Sequence, residues 1–120
     1  MDYKIYPIKK HQIISIDISG EQIHEAVGKA LTEAVQIARK HGFNRFLMDL
    51  QNSVLLDTIT DTYIFVENVD KLGFERTDRF AGVVKEQLEH HIFSENVAVN
   101  RGWQVKYFED REKAKKWLVG

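Results

Sequence analysis

The stretch from His11 to Gly42, HQIISIDISGEQIHEAVGKALTEAVQIARKHG, changes its apolar period part-way through. Over Ile14, Ile16 and Ile18 the apolar residues recur at every second position, with Ser15 and Asp17 between them. Successive side chains of a strand point to opposite faces, so this segment predicts a strand with one continuous apolar face. From Ile23 the step becomes three and four, through Ala26, Val27, Ala30, Leu31, Ala34, Val35 and Ala38. That spacing lines one side of an α-helix. Ser19 with Gln22 predicts a capping-box start, and Glu21 suits the positive end of the helix dipole. Arg39, Lys40 and His41 suit the negative end, and Gly42 supplies the left-handed residue that ends the helix.

Working outward, Tyr3 to Ile8 alternates, but Pro7 has no N–H for a ladder, which predicts an edge strand. A turn at Lys9-Lys10 joins it to the strand from His11 to Ser19 as an antiparallel hairpin. Downstream, Phe43 to Leu50 carries Phe46-Leu47-Met48 without alternation, as a strand covered on both faces does. Thr60 to Gly73 predicts a second helix, whose apolar arc through Tyr63, Ile64, Phe65, Val66 and Val69 is wider than one sheet contact needs. Arg79 to Val84 reads as a buried strand, and the polar Glu86 to His91 takes no assignment. Ile92 to Arg101 predicts a short helix stopped by Gly102, and Trp103 to Phe108 an outer strand. Asp110 caps a last helix with Ala114, Trp117 and Leu118 inward and a Glu112–Lys116 pair outside.

The order β-β-α-β-α-β-α-β-α predicts one α/β domain, residues 1–120. Its sheet is mostly parallel, with four or five strands, an N-terminal antiparallel hairpin and about four helices. The formal charge is −1, from 17 basic and 18 acidic residues. No basic excess is present to neutralise phosphates, so no nucleic-acid partner is expected. The absence of cysteine excludes thiolate metal sites, iron–sulfur clusters and thiol nucleophiles. No apolar run approaches the roughly 20 residues of a transmembrane helix, and no secretory signal is legible. A cytoplasmic protein is expected.

The glycines stand singly, so neither a dinucleotide-binding nor a P-loop pattern occurs, and Gly-x-Ser-x-Gly is absent. No cofactor and no catalytic residues are expected. Glu86, Glu89 and His90 can share a helical turn, but no further ligand at a recognised spacing joins them, so no metal is assigned. His24 and His41 read as a solvated residue and a dipole-complementing cap on the first helix. The segment after the third strand carries more: Asp49, Gln51-Asn52-Ser53, Val54-Leu55-Leu56, then Asp57-Thr58-Ile59-Thr60-Asp61. In open α/β sheets, ligands and partners meet the loops at the carboxyl ends of strands. Short polar side chains at a helix N-terminus can bind an anion or accept a phosphoryl group. Thr58 or Thr60 as N-cap, with Asp61 in the first turn, is ordinary capping chemistry and is the favoured reading. Asp49, Asp57 and Asp61 are near enough in sequence to approach one another. The candidate partner- or ligand-binding set is Asp57, Thr58, Thr60, Asp61, Tyr63, Ile64 and Phe65.

Phe46-Leu47-Met48-Asp49-Leu50, the step Gln51-Asn52-Ser53 and Val54-Leu55-Leu56-Asp57-Thr58 together resemble the STAS domain, which has the SpoIIAA-like fold. There a buried strand ending in aspartate leads to an Asp-Ser-Ser-Gly turn that opens a helix. The tail, from Phe93 through Asn100-Arg101-Gly102 to Val105-Lys106-Tyr107-Phe108 and Ala114-Lys115-Lys116-Trp117-Leu118, is similar to that of uncharacterised bacterial STAS-like proteins. The resemblance covers most of the chain from the hairpin onward. It implies a regulatory or ligand-sensing module rather than an enzyme. In the phosphorylated anti-sigma antagonists a kinase partner switches a serine of that turn. Asp57 matches the aspartate and Thr58 the first serine, while Ile59 and Thr60 stand where the second serine and the glycine are.

Two functions are weighed on this basis. One is a protein-interaction module, with a protein partner or a second copy docking on Tyr63, Ile64 and Phe65. The other is a carrier of a small apolar ligand or lipid. It rests on analogy with the CRAL-TRIO lipid carriers of similar fold, with Phe65, Phe74, Phe80 and Trp103 as the lining.

Overall fold

Isoleucine on both sides of the second strand makes it the centre of the core. In the computed structural model, which describes residues 1–120, β1 (Asp2–Ile8) and β2 (Ile13–Gln22) form an antiparallel hairpin. The hairpin turns through Lys9–His11, with Gln12 left-handed at φ 55°. There follow α1 (His24–His41), β3 (Arg45–Leu55), α2 (Ile59–Glu67), β4 (Arg79–Val83), α3 (Leu88–Asn100), β5 (Gln104–Phe108) and α4 (Arg111–Val119). The strands lie in chain order, β1-β2-β3-β4-β5, and every pairing after the hairpin is parallel.

When parallel strands lie in chain order, right-handed crossovers all fall on the same face. The larger core joins Ile14, Ile16, Ile18, Phe46 and Met48 to Val27, Leu31 and Val35 of α1, Val66 of α2 and Val97 and Ala98 of α3. On the other face α4 alone covers Ile13, Leu47, Ala81 and Val83, using Ala114 and Leu118. The predicted alternation of β2 is therefore realised with both faces covered.

Several expected boundaries move, each for a tertiary reason. Ser19 does not cap α1, because β2 continues to Gln22 and Ile23 becomes the N-cap. β3 does not end at Leu50 but runs to Leu55, so Gln51-Asn52-Ser53 is strand, not a turn. The second helix is shorter than expected: α2 ends at Glu67, and a separate 3-10 turn over Val69–Leu72 stops at Gly73. The unassigned polar segment is the start of α3. Glu112 reaches Lys115, at 3.5 Å, rather than Lys116. Gly42 and Asp110 act as expected, the first left-handed at φ 71°, the second accepting from the Glu112 and Lys113 N–H groups.

Gly82 is fixed by a neighbour. It pairs in register with Tyr107 of β5, and a Cβ on Gly82 would lie 2.2 Å from that ring. The Tyr107 ring therefore covers bare backbone. Gly82→Ala should destabilise the protein by about 2 kcal/mol through this overlap. Urea unfolding would show it as a lower midpoint at unchanged slope.

Candidate functional site

At its carboxyl end the sheet narrows. The last β3–β4 pair is Asp49 with Val83, yet β2 and β3 continue together from Ser19/Asn52 to Gln22/Leu55, after a register shift between Asp17 and Ser19. Past their end, Leu56 N–H still donates to the Gln22 carbonyl at 2.9 Å. The other edge of this extension has no strand beside it. Gln87, left-handed at φ 58°, fills the place with its side-chain amide: Leu55 N–H donates to its Oε1 at 2.8 Å, and its Nε2 donates to the Leu55 carbonyl at 2.9 Å. Backbone groups that would otherwise lack partners are thus satisfied, and Leu56, Asp57 and Thr58 are held at the tip.

Each candidate residue has a defined place there. The Asp57 carboxylate accepts from the backbone N–H of His24. Ile23, the N-cap of α1, has no side chain that can do this, so a carboxylate from the next crossover caps the helix. Thr58 caps α2: its hydroxyl accepts from Asp61 N–H at 3.1 Å, and its own N–H donates to the Asp61 carboxylate at 3.0 Å. That N–H first, and next the Thr58 hydroxyl, which also donates to the carboxylate, hold the Asp61 carboxyl below its usual range. Thr60 is exposed on the first turn of α2. Tyr63 takes a hydrogen bond from Arg101 at 2.8 Å, and Arg101 also pairs with Glu67. Ile64 projects outward, 55 % exposed, while Phe65 turns inward and stacks on the His24 ring at 4.6 Å. The candidate residues therefore lie together around the start of α2, with Phe65 turned inward. Asp49 lies apart from Asp57 and Asp61: it meets Arg111 of α4 at 2.9 Å, and Arg111 also contacts Tyr6, Ser15 and Asp17.

The sequence reading missed a polar cluster under this surface. Thr62 is 1 % exposed, and its hydroxyl lies 2.7 Å from His24 Nε2 and 2.6 Å from His90 Nε2. His24 is thus not the solvated residue expected, and the Nε2 of His90 is committed to Thr62. His91, 5 % exposed, lies beside the Tyr107 ring. The legible signal was Thr62 itself, a polar residue four positions before Val66 on the inward side of α2. A hydroxyl between two imidazoles has the look of an activated nucleophile, but the surface concavities that reach His24 do not include Thr62. Burial lowers the pKa of His24 and His90. It takes His91 down to about 4, with the neighbouring His90 and His24 adding to the effect.

Phe65, Phe74, Phe80 and Trp103 do line one common cavity, between the sheet and α1, α2 and α3, of about 70 Å³. That is small against the roughly 300 Å³ at which ligand pockets begin.

No family model matches the sequence, and no curated protein does either. Among solved structures, an uncharacterised DUF3478-family protein of Shewanella loihica PV-4, described as having a SpoIIAA-like fold, superposes with a TM-score of 0.61 at 20 % identity. The match covers 98 % of this chain and 92 % of that one. The anti-sigma factor antagonist SpoIIAA in its unphosphorylated form superposes at 0.60, with 12 % identity and 99 % of both chains covered. The fold is SpoIIAA-like. Mixed five-stranded sheet, N-terminal hairpin and four helices agree with the architecture expected from the sequence. In this SpoIIAA-like domain no helix is long and apolar enough to cross a membrane.

Two measurements check the site. Asp57→Ala should remove the cap of α1 and cost about 1 kcal/mol, read from chemical denaturation. For His91 the sign follows from proton uptake. Its folded pKa of about 4 lies below the ordinary 6.5, so on acidification the unfolded chain takes the proton first. Stability is full above 6.5 and falls toward pH 4, by about 3 kcal/mol for this residue. Thermal unfolding across that range should show the loss, and His91→Gln should make it smaller.

Proposed function

We propose that this chain is a non-catalytic regulatory module of the STAS type, which binds a protein partner through the outer side of α2 and the tips of β2 and β3. The observation that carries this reading is the exposure of Ile23, Leu56, Ile59, Tyr63 and Ile64 together at one end of the molecule, with Leu56 and Ile64 each more than half exposed. Apolar surface gathered in this way marks an interaction site. Around it stand Glu21, Glu25, Asp57 and Asp61, while Glu67 is paired with Arg101 beside Tyr63. A partner with an apolar centre and a basic fringe complements that arrangement. The two solved relatives share the fold, and one of them is an anti-sigma factor antagonist, which supports a regulatory role.

The surface differs from a phosphorylation switch of the antagonist kind. Ile59 presents hydrocarbon where the resembling turn carries its phosphoacceptor serine. The Thr58 hydroxyl is engaged with Asp61, to which it also donates at 2.9 Å. A phosphoryl group on Thr58 would break the capping box and face the Asp61 carboxylate. Docking here is accordingly independent of phosphorylation.

A photo-crosslinking residue at Ile64 should capture a defined partner, and Ile59→Asp should abolish the capture with little effect on stability. Equal capture from a crosslinker at Val119, on α4, would refute a specific face. Sedimentation that shows a dimer dissolved by Ile64→Asp would identify the partner as a second copy.

Binding of a small apolar ligand is the second reading, favoured by the aromatic lining of the internal cavity. Val105→Ile places one more carbon in that cavity. If the space is a packing defect, the substitution should stabilise the protein by about 0.5–1 kcal/mol with partner capture unchanged. A loss of any co-purifying small molecule would favour the carrier instead.

A further inference from the structure

We propose that Thr62, held between His24 and His90, is a proton-operated latch that sets how α2 is seated against α1 and α3. The three side chains come from three elements: His24 is the first residue of α1, Thr62 lies within α2 and His90 lies in the first turn of α3. Thr62 and Val66 are the only buried residues of α2, so the latch accounts for much of that helix's anchorage.

The hydroxyl has one proton to give and two lone pairs. With both imidazoles neutral, one ring accepts that proton at a bare Nε2 and the other donates its Nε2–H, so all three groups are satisfied. A first proton enters at the bare Nδ1 of the donating ring and leaves Thr62 undisturbed; a second forms a new N–H at the accepting Nε2. Both rings then donate to Oγ1, the hydroxyl proton loses its acceptor, and two imidazolium rings flank the buried Thr62. A buried hydroxyl without a partner is costly, and the two cations repel each other. Displacement of α2 relieves both, because His24 already borders a surface concavity with Asp57, Asp61, Ile64 and Phe65.

The surrounding groups set the direction. Asp57 before α2 and Asp61 on α2 favour a cation at His24, and His90 on α3 opposes it; Glu25 of α1 lines the same concavity. His91 follows His90 on α3, with the Tyr107 ring of β5 beside it. Burial is the largest influence on both latch histidines and keeps them neutral at physiological pH. The latch is closed there and opens on acidification. The docking role of α2 is not assumed, since the helix itself is the readout.

The test is histidine NMR titration with amide hydrogen exchange on the intact chain, from about pH 7.5 to about pH 5. His24 and His90 should titrate as a coupled pair. The α2 amides should lose about tenfold in protection at the acid end, after correction for intrinsic rates, while β2 and β3 keep theirs. The double substitution His24→Gln with His90→Gln keeps groups that can bond the hydroxyl but cannot titrate, and should make α2 protection independent of pH. Thr62→Val should leave α2 weakly protected at both ends of the range. Wild-type α2 protection that does not change with pH overturns the latch without any variant, as does a full response in either variant.

Discussion

Parallel pairing of β2 with β3, carried past the edge of the rest of the sheet, holds the candidate site of this molecule in place. A two-stranded extension exposes backbone donors and acceptors on its outer edges, and those groups need partners. Here the partners are single residues from elsewhere in the chain. The Gln87 amide stands in for a third strand at Leu55, and the Asp57 carboxylate at the tip caps α1 in place of the side chain that Ile23 lacks. The tip is therefore built from long-range polar contacts, which is why Leu56 and Ile59 can be apolar and exposed there without the segment losing its shape.

The sequential strand order has a second consequence. Three crossover helices share one face of a five-stranded sheet, and α2, the shortest of them, is buried least. Its fixed points are few: the capping box at Thr58, Thr62 between two histidines, Val66 in the core, and Tyr63 bound to Arg101. An element with so few buried contacts sits at the low-stability end of a fold, where switching and binding elements are drawn from. On the opposite face α4 is tied to β3 through Arg111 and Asp49, so the acidic residues of the two faces belong to different networks.

How far the sequence was legible depended on whether the deciding contact was local. Thr58 with Asp61, Asp110 at the start of α4 and Gly42 at the end of α1 are interactions within a few residues, and each was readable. The extension of β3 through Gln51-Asn52-Ser53 was not, because its polar residues read as a turn until β2 is seen to pair beside them. The same pairing removed Ser19 from its expected cap. The exposed candidates Tyr63 and Ile64 were found from the width of an apolar arc. The histidine cluster below them was missed, since its members lie far apart in the chain and share no motif.

Alternation at two-residue spacing in β2 and three-and-four spacing in α1 determined, by itself, that strands and helices alternate and that the sheet is mostly parallel. Side-chain direction is fixed by backbone geometry, so that much can be read from order along the chain. Which strand lies beside which, and so which helices share a face, was decided only in three dimensions. That choice puts His24, Thr62 and His90 within hydrogen-bonding distance, a meeting of residues that neighbouring positions in the chain cannot announce.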